Sequence, residues 1–155
     1  TVLNNLGVLY EKLGMPDDAK KSYIESVSIR RKLLAIDSIS FAPLVAQSLS
    51  NLGGFYETLN DYPNSLSCHL EAISLVRSLI RIDESAFRPQ LAVTLAGLGN
   101  LYVKVDSIPE ALECHKESLE INRKLSEEDR AAFSHRLGES LLNYADLKLV
   151  IVDQK

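Results

Sequence analysis

Asn5-Leu6-Gly7-Val8-Leu9-Tyr10 returns as Asn51-Leu52-Gly53-Gly54-Phe55-Tyr56, and again as Gly97-Leu98-Gly99-Asn100-Leu101-Tyr102. Each return comes 46 residues on, from 5 to 51 to 97. One more step lands on Asn143-Tyr144-Ala145-Asp146-Leu147. The same step carries Phe41 to Phe87 to Phe133, Glu25 to Glu71 to Glu117, and Arg31 to Arg77 to Arg123. It carries Cys68-His69 to Cys114-His115 and Pro43 to Pro89, with no gap anywhere. Agreement at so many positions marks an internal repeat, and a period in this range means stacked supersecondary units.

Periodicity splits each unit into two helices. In the second unit the first helix is expected from about Pro43 to Leu59, with Val45, Leu49, Leu52, Phe55 or Tyr56, and Leu59 on one face. Pro43 fits a first turn, where a missing N–H is harmless. Asn60-Asp61-Tyr62 is a turn-forming stretch. Pro63 then opens a second helix to about Ile82, as Pro16 and Pro109 do in their units. Its stripe is expected at Leu66, Leu70, Ile73, Val76 or Arg77, and Ile80. Acidic residues gather near the next turn: Asp37, Asp83, and Glu127-Glu128-Asp129. Gly7, Gly53 and Gly99 fall inside helices, where glycine costs about 1 kcal/mol against alanine. Recurrence of that cost at one repeat position points to close helix approach. Ala145, also small, stands there in the fourth unit.

These residues resemble the tetratricopeptide repeat family, whose first helix carries L-G-x-x-Y and whose second carries small and aromatic packing residues. The matches are Leu3, Leu6-Gly7, Tyr10, Ala19, Tyr23 and Ser26; then Leu49, Leu52-Gly53, Tyr56, Ser65, His69 and Ala72; then Leu95, Leu98-Gly99, Tyr102, Ala111, His115 and Ser118. The family period is about 34 residues, so each unit here is roughly 12 longer, as in the long-repeat variants of kinesin light chain type. The extra length is expected in the second helix and in the connection that follows it. The resemblance implies an all-α solenoid of antiparallel helix pairs in a right-handed superhelix. The expected units are about 1–41, 42–87 and 88–132, followed by a lone helix over 133–153. That helix carries Leu141, Leu142, Leu147, Leu149, Val150, Ile151 and Val152, an apolar load suited to an internal helix. Thr1 aligns with Gln47 and Lys155 with Pro109, so the chain is read as a fragment of a longer array.

The resemblance also implies a function: a protein–protein interaction scaffold or adaptor that holds a peptide or partner domain on the concave face of its first helices. The alternative is a self-associating or autoregulatory array attached to an effector domain elsewhere, with the C-terminal helix as the contact. Carried over by alignment, the groove positions are Asn5, Lys12, Gln47, Ser50, Asn51, Gly54, Thr58, Asn100, Lys104 and Asn143. Thr1, Asn4, Val8, Glu57, Val93, Ala96, Gly97, Glu139, Leu142 and Asp146 complete the set. Asn5, Asn51 and Asn143 form a partial ladder, broken by Gly97 with Asn100 one turn away. An amide both donates and accepts, so it can pair with an extended peptide backbone of any sequence; it can equally face solvent or a neighbouring helix. A second family mode grips a terminal carboxylate with converging basic residues. Lys12 and Lys104, with Glu57 and Thr58 between them, do not meet that pattern.

Composition narrows the partners. The 155 residues carry a formal charge of −4, whereas nucleic acid calls for a basic stripe. Arg30, Arg31 and Lys32 are the densest basic run and read as a solvated helix face. No apolar run approaches the ~18 residues that span a bilayer. Two cysteines make no disulfide framework and suit a reducing, cytoplasmic setting. Cys68-His69 and Cys114-His115 invite a metal, but neighbours on a helix diverge by about 100°, so the histidines read as core residues. No nucleophile elbow, P-loop or dinucleotide motif is present. No enzyme activity, cofactor or metal is expected, and the partner is expected to be a protein or peptide.

Overall fold

The computed structural model describes residues 2–153, and side chains as far as Leu149. Thr1, Lys155 and the side chains of Val150, Ile151 and Val152, all weighed above, lie outside the described residues. Seven α-helices and no strand occur among the described residues. They are α1 (Val2–Lys12), α2 (Pro16–Leu34), α3 (Ser38–Thr58), α4 (Tyr62–Ile80), α5 (Glu84–Lys104), α6 (Ile108–Glu128) and α7 (Arg130–Asp153). The 46-residue step governs their ends: first helices finish at Lys12, Thr58 and Lys104, and second helices begin at Pro16, Tyr62 and Ile108. The chain forms two compact units, Thr1–Ile82 and Asp83–Lys155. In the first, α2 packs against α1 and α3, and α3 packs against α4. In the second, α6 packs against α5 and α7.

The helices α1, α3 and α5 stop by the same device. Gly14, Asn60 and Asp106 occupy one repeat position and take φ of 69°, 57° and 59°. The next N–H in each case reaches back to a tyrosine carbonyl: Met15 to Tyr10 (2.9 Å), Asp61 to Tyr56 (2.9 Å) and Ser107 to Tyr102 (2.8 Å). Gly14, Asn60 and Asp106 themselves bond Glu11, Glu57 and Val103. This double closure is a Schellman motif, which needs a left-handed residue at its bend. A Cβ added at Gly14 would meet no atom within 4 Å. Gly14→Ala therefore isolates the backbone cost, and urea denaturation is expected to show a loss of about 1–2 kcal/mol.

The first helices start earlier than periodicity suggested. Asp37 caps α3, accepting from the N–H groups of Ile39 (3.1 Å) and Ser40 (3.0 Å). Asp83 accepts from Ala86 (3.0 Å), and Asp129 from Ala132 (3.0 Å). These aspartates are 46 residues apart and are the N-caps of α3, α5 and α7. Hydrogen bonds from Ser40 hold the Asp37 carboxyl below its usual range, and the N–H of Ala86 does so for Asp83. Pro43 and Pro89 thus lie inside their helices, not in a first turn. Short connections, Ala35–Asp37, Arg81–Asp83 and the single residue Asp129, join each hairpin to the next helix. The extra residues of the long repeat are helical and do not lengthen the connection. Strong capping and the hydrophobic face behind it outweigh the one ladder bond a proline removes.

Gly7, Gly53 and Gly99 of the repeated segment each face an aromatic ring. A Cβ at Gly7 would come within 2.7 Å of Tyr23, one at Gly53 within 2.9 Å of His69 Nε2, and one at Gly99 within 2.7 Å of His115 Nε2. Two rings are tethered back to the first helix. The Tyr23 hydroxyl donates to Glu11, and His69 Nε2 bonds Glu57 Oε1 at 3.1 Å. In the third hairpin the matching position is Val103, which carries no carboxylate. Leu70, expected on the α4 stripe, is exposed. The buried stripe runs instead through Ser65, His69, Ala72, Val76 and Leu79, because small residues let α4 approach its neighbour.

His115 is buried, and burial lowers its pKa from the ordinary 6.5. The unfolded chain therefore takes up a proton before the folded one does. The stabilisation from neutral His115 is complete above about pH 6.5 and is lost as pH falls from there through the folded pKa. Urea melts between about pH 7.5 and 5 are expected to show falling stability on acidification, with a shallower fall in His115→Gln.

Candidate peptide-binding groove

The sequence-predicted groove residues lie on first helices, and their exposure varies. In the first unit Asn5 and Lys12 on α1, and Gln47 and Thr58 on α3, are exposed. Ser50, Asn51 and Gly54 on α3 are half-buried. Asn4 is buried and does not line a groove. In the second unit Asn100 and Lys104 are exposed on α5, and Asn143 is half-buried on α7.

The structure gathers part of this set into one place. A hollow of about 420 Å³ opens between α5 and α7, over α6. Its α5 wall is Ala92, Val93, Ala96 and Asn100; its α7 wall includes Arg136, Glu139, Leu142 and Asn143. The two amides, Asn100 and Asn143, face one hollow although 43 residues separate them. Val93 and Leu142 stand 53% and 62% exposed there. Small residues at Ala92 and Ala96 keep the hollow open. Arg136 and Glu139 add one charge of each sign, so the lining is close to neutral.

The floor belongs to α6, which the groove expectation left out. Ser118 donates to the Ala92 carbonyl (2.8 Å), and Asn122 Nδ2 donates to Ser140 Oγ (2.8 Å). Both serve the seam between a second helix and its neighbours. Arg30 and Ser48 hold the same repeat positions in the first unit and also meet, at 2.7 Å. The 46-residue step lines these positions up in the sequence, but no local pattern marks them as buried. Arg30 in particular is 6% exposed, not part of a solvated basic face. Burial also pulls its pKa down.

Among the hollows described in the first unit, one of about 410 Å³ opens between the ends of α1 and α3, lined by Glu11, Phe55 and the sequence-predicted Thr58. Another, of about 520 Å³, sits between the second helices α2 and α4, floored by Leu49, Leu52 and Tyr56. The Arg31–Glu71 ion pair lies at its rim, joining two of the sequence's 46-residue series. Cys68 also lines it, with its thiol pushed by burial up to about 11, which leaves it a poor nucleophile. The described residues include no group of three or more histidine, cysteine or acidic side chains placed to hold a metal. None of the described helices is long and apolar enough to cross a membrane.

Two tetratricopeptide repeat family models match the sequence, one over residues 44–124 and the other over residues 1–40. The chain belongs to the tetratricopeptide repeat family. Both models are of the kinesin light chain-like types. The tetratricopeptide fold is a protein-interaction scaffold, typically without catalysis of its own. Among solved structures this tetratricopeptide chain is similar to the crystal structure of BtubC (BKLC) from P. vanneervenii, at a TM-score of 0.75 and 21% identity. That match covers 98% of this chain and 56% of the other, so the chain spans little more than half of that relative. MamA matches at a TM-score of 0.49 and 19% identity, over 98% of this chain and 77% of MamA. No curated protein matches the sequence.

Proposed function

We propose that this tetratricopeptide chain is an adaptor that holds an extended peptide segment of a partner protein in the hollow between α5 and α7. The observation that carries the reading is the meeting of Asn100 and Asn143 in one open, nearly neutral hollow beside exposed Val93 and Leu142. Each amide can pair with a peptide N–H and C=O. The apolar flanks offer a place for one or two side chains of the peptide. Asn5 and Asn51 hold the repeat position of Asn143 on α1 and α3. The reading places the chain in a reducing, cytoplasmic compartment, with a protein as its partner and neither nucleic acid nor membrane as a surface.

The test is a displayed library of random linear peptides panned on the chain, followed by affinity measurement on the selected peptides. A net hydrogen bond contributes about 0.5–1.5 kcal/mol. Asn100→Ala and Asn143→Ala are each expected to weaken binding about two- to tenfold. Selected peptides that bind both variants as tightly as the parent would sink the groove assignment.

A second reading rests on α7, where Leu141 and Leu149 are 42% and 62% exposed. These side chains suit contact with another copy of the chain. Light scattering at rising concentration separates the readings: a strict monomer counts against self-association.

A further inference from the structure

Asn122 is 4% exposed, lines the hollow between α5 and α7, and spends its Nδ2 on Ser140 Oγ. Its Oδ1 is buried and finds no hydrogen-bond partner among the described residues. A buried amide oxygen left this way is costly, and such a group needs an explanation. The repeat does not require an amide here. The 46-residue step puts Arg30 and Val76 at the same position, and Arg30 donates to both Leu44 O and Ser48 Oγ. An asparagine with half its bonding capacity unused, under an open hollow, is therefore a site feature.

We infer that Asn122 is a specificity-determining residue that receives a carboxamide side chain, glutamine or asparagine, from the peptide held by Asn100 and Asn143. The inference rests on the groove reading of the previous subsection and names the side chain the groove selects. Three features of the hollow favour a carboxamide. Asn122 lines the hollow beside the small side chains of Ala92 and Ala96 and is 4% exposed, which suits an occupant with a slender aliphatic stem. The floor on α6, Ser118 and Asn122, is uncharged, as is Ser140 of α7 beside it, and a buried unpaired charge is expensive there. The free end of the Asn122 amide needs one complementary group. A primary amide brings donor and acceptor together, so it completes the pair whichever way the Asn122 amide is turned. Asn143 at the rim can take the remaining valence.

The test uses peptides selected from the random linear library, with one position scanned through glutamine, glutamate and methionine, which are nearly equal in size and shape. On the parent chain, glutamine at one fixed position is expected to bind about tenfold more tightly than either isostere. This series needs no protein variant, so a folding defect cannot confuse it. On Asn122→Val, which installs the residue the repeat already carries at Val76, the preference for glutamine over methionine is expected to vanish. Equal binding of glutamine and methionine by the parent chain, or a preference that survives in Asn122→Val, overturns the inference. If Asn143→Ala still weakens binding in that case, the groove stands and only the carboxamide assignment falls. A library that returns no peptide dependent on Asn143 removes both.

Discussion

Gly53→Ala is expected to destabilise the protein, whereas Gly54→Ala, one residue along the same helix, is expected to stabilise it. Helix propensity treats the two alike: alanine in place of an interior glycine gains about 1 kcal/mol. The surroundings do not. A Cβ at Gly53 would lie 2.9 Å from His69 Nε2, with the ring's other atoms at 3.1 and 3.3 Å. His69 is buried and tethered by Glu57, so the ring has little room to retreat. A Cβ at Gly54 would meet nothing within 4 Å. Overpacking costs about 1–3 kcal/mol, which offsets or exceeds the propensity gain at Gly53 only. Urea melts should therefore separate the two variants by about 1–3 kcal/mol in opposite directions. Equal stabilisation in both would show that the hairpins do not need their close approach. Gly99→Ala extends the test, since His115 stands as near to it. The double variant Gly99→Ala with His115→Ala should lose less than the two single losses together, because the smaller side chain removes the clash.

Replacement of Arg30 has the second large expected effect. Its Nη1 donates to the Leu44 carbonyl at 2.5 Å and to Ser48 Oγ at 2.7 Å, tying α2 to α3. Hydrogen bonds from a charged group contribute about 1.5–3 kcal/mol, and the aliphatic stem packs as well. Arg30→Ala is expected to cost about 2–4 kcal/mol, read as a lower urea midpoint with an unchanged slope. Arg30→Met should cost less. It keeps the stem and removes the burden of burying a guanidinium, which often makes an apolar replacement of a buried charge nearly neutral. The repeat already holds Val76 at this position. If Arg30→Ala were harmless, the contact between α2 and α3 would rest on apolar packing alone.

The 46-residue step, the helical hairpins and the family were legible in the chain itself. Sequence identity at a constant offset needs no knowledge of contacts, and helical periodicity is local. The glycine positions were legible for the same reason, because three repeats of one costly choice imply one shared packing demand. The start of the first helices is written in the sequence too, as Asp37, Asp83 and Asp129, yet proline at Pro43 and Pro89 points to a boundary five residues late. A helix tolerates an interior proline when a cap ahead of it and burial behind it outweigh one missing bond.

What the sequence could not decide is which polar residues are inside. Arg30 stands beside Arg31 and Lys32 and looks like them. It is buried because Leu44 and Ser48, on the next helix, lie where its guanidinium ends. Asn122 looks like a surface residue of α6, and it becomes a groove floor because α7 brings Ser140 against it. Likewise Asn100 and Asn143 share a hollow only because α5 and α7 both pack on α6. The sequence by itself determined the repeating element and its hydrophobic face, since these follow from spacing along one chain segment. The tertiary structure alone decided burial and company at the seams, since those depend on a neighbouring helix that local spacing does not encode.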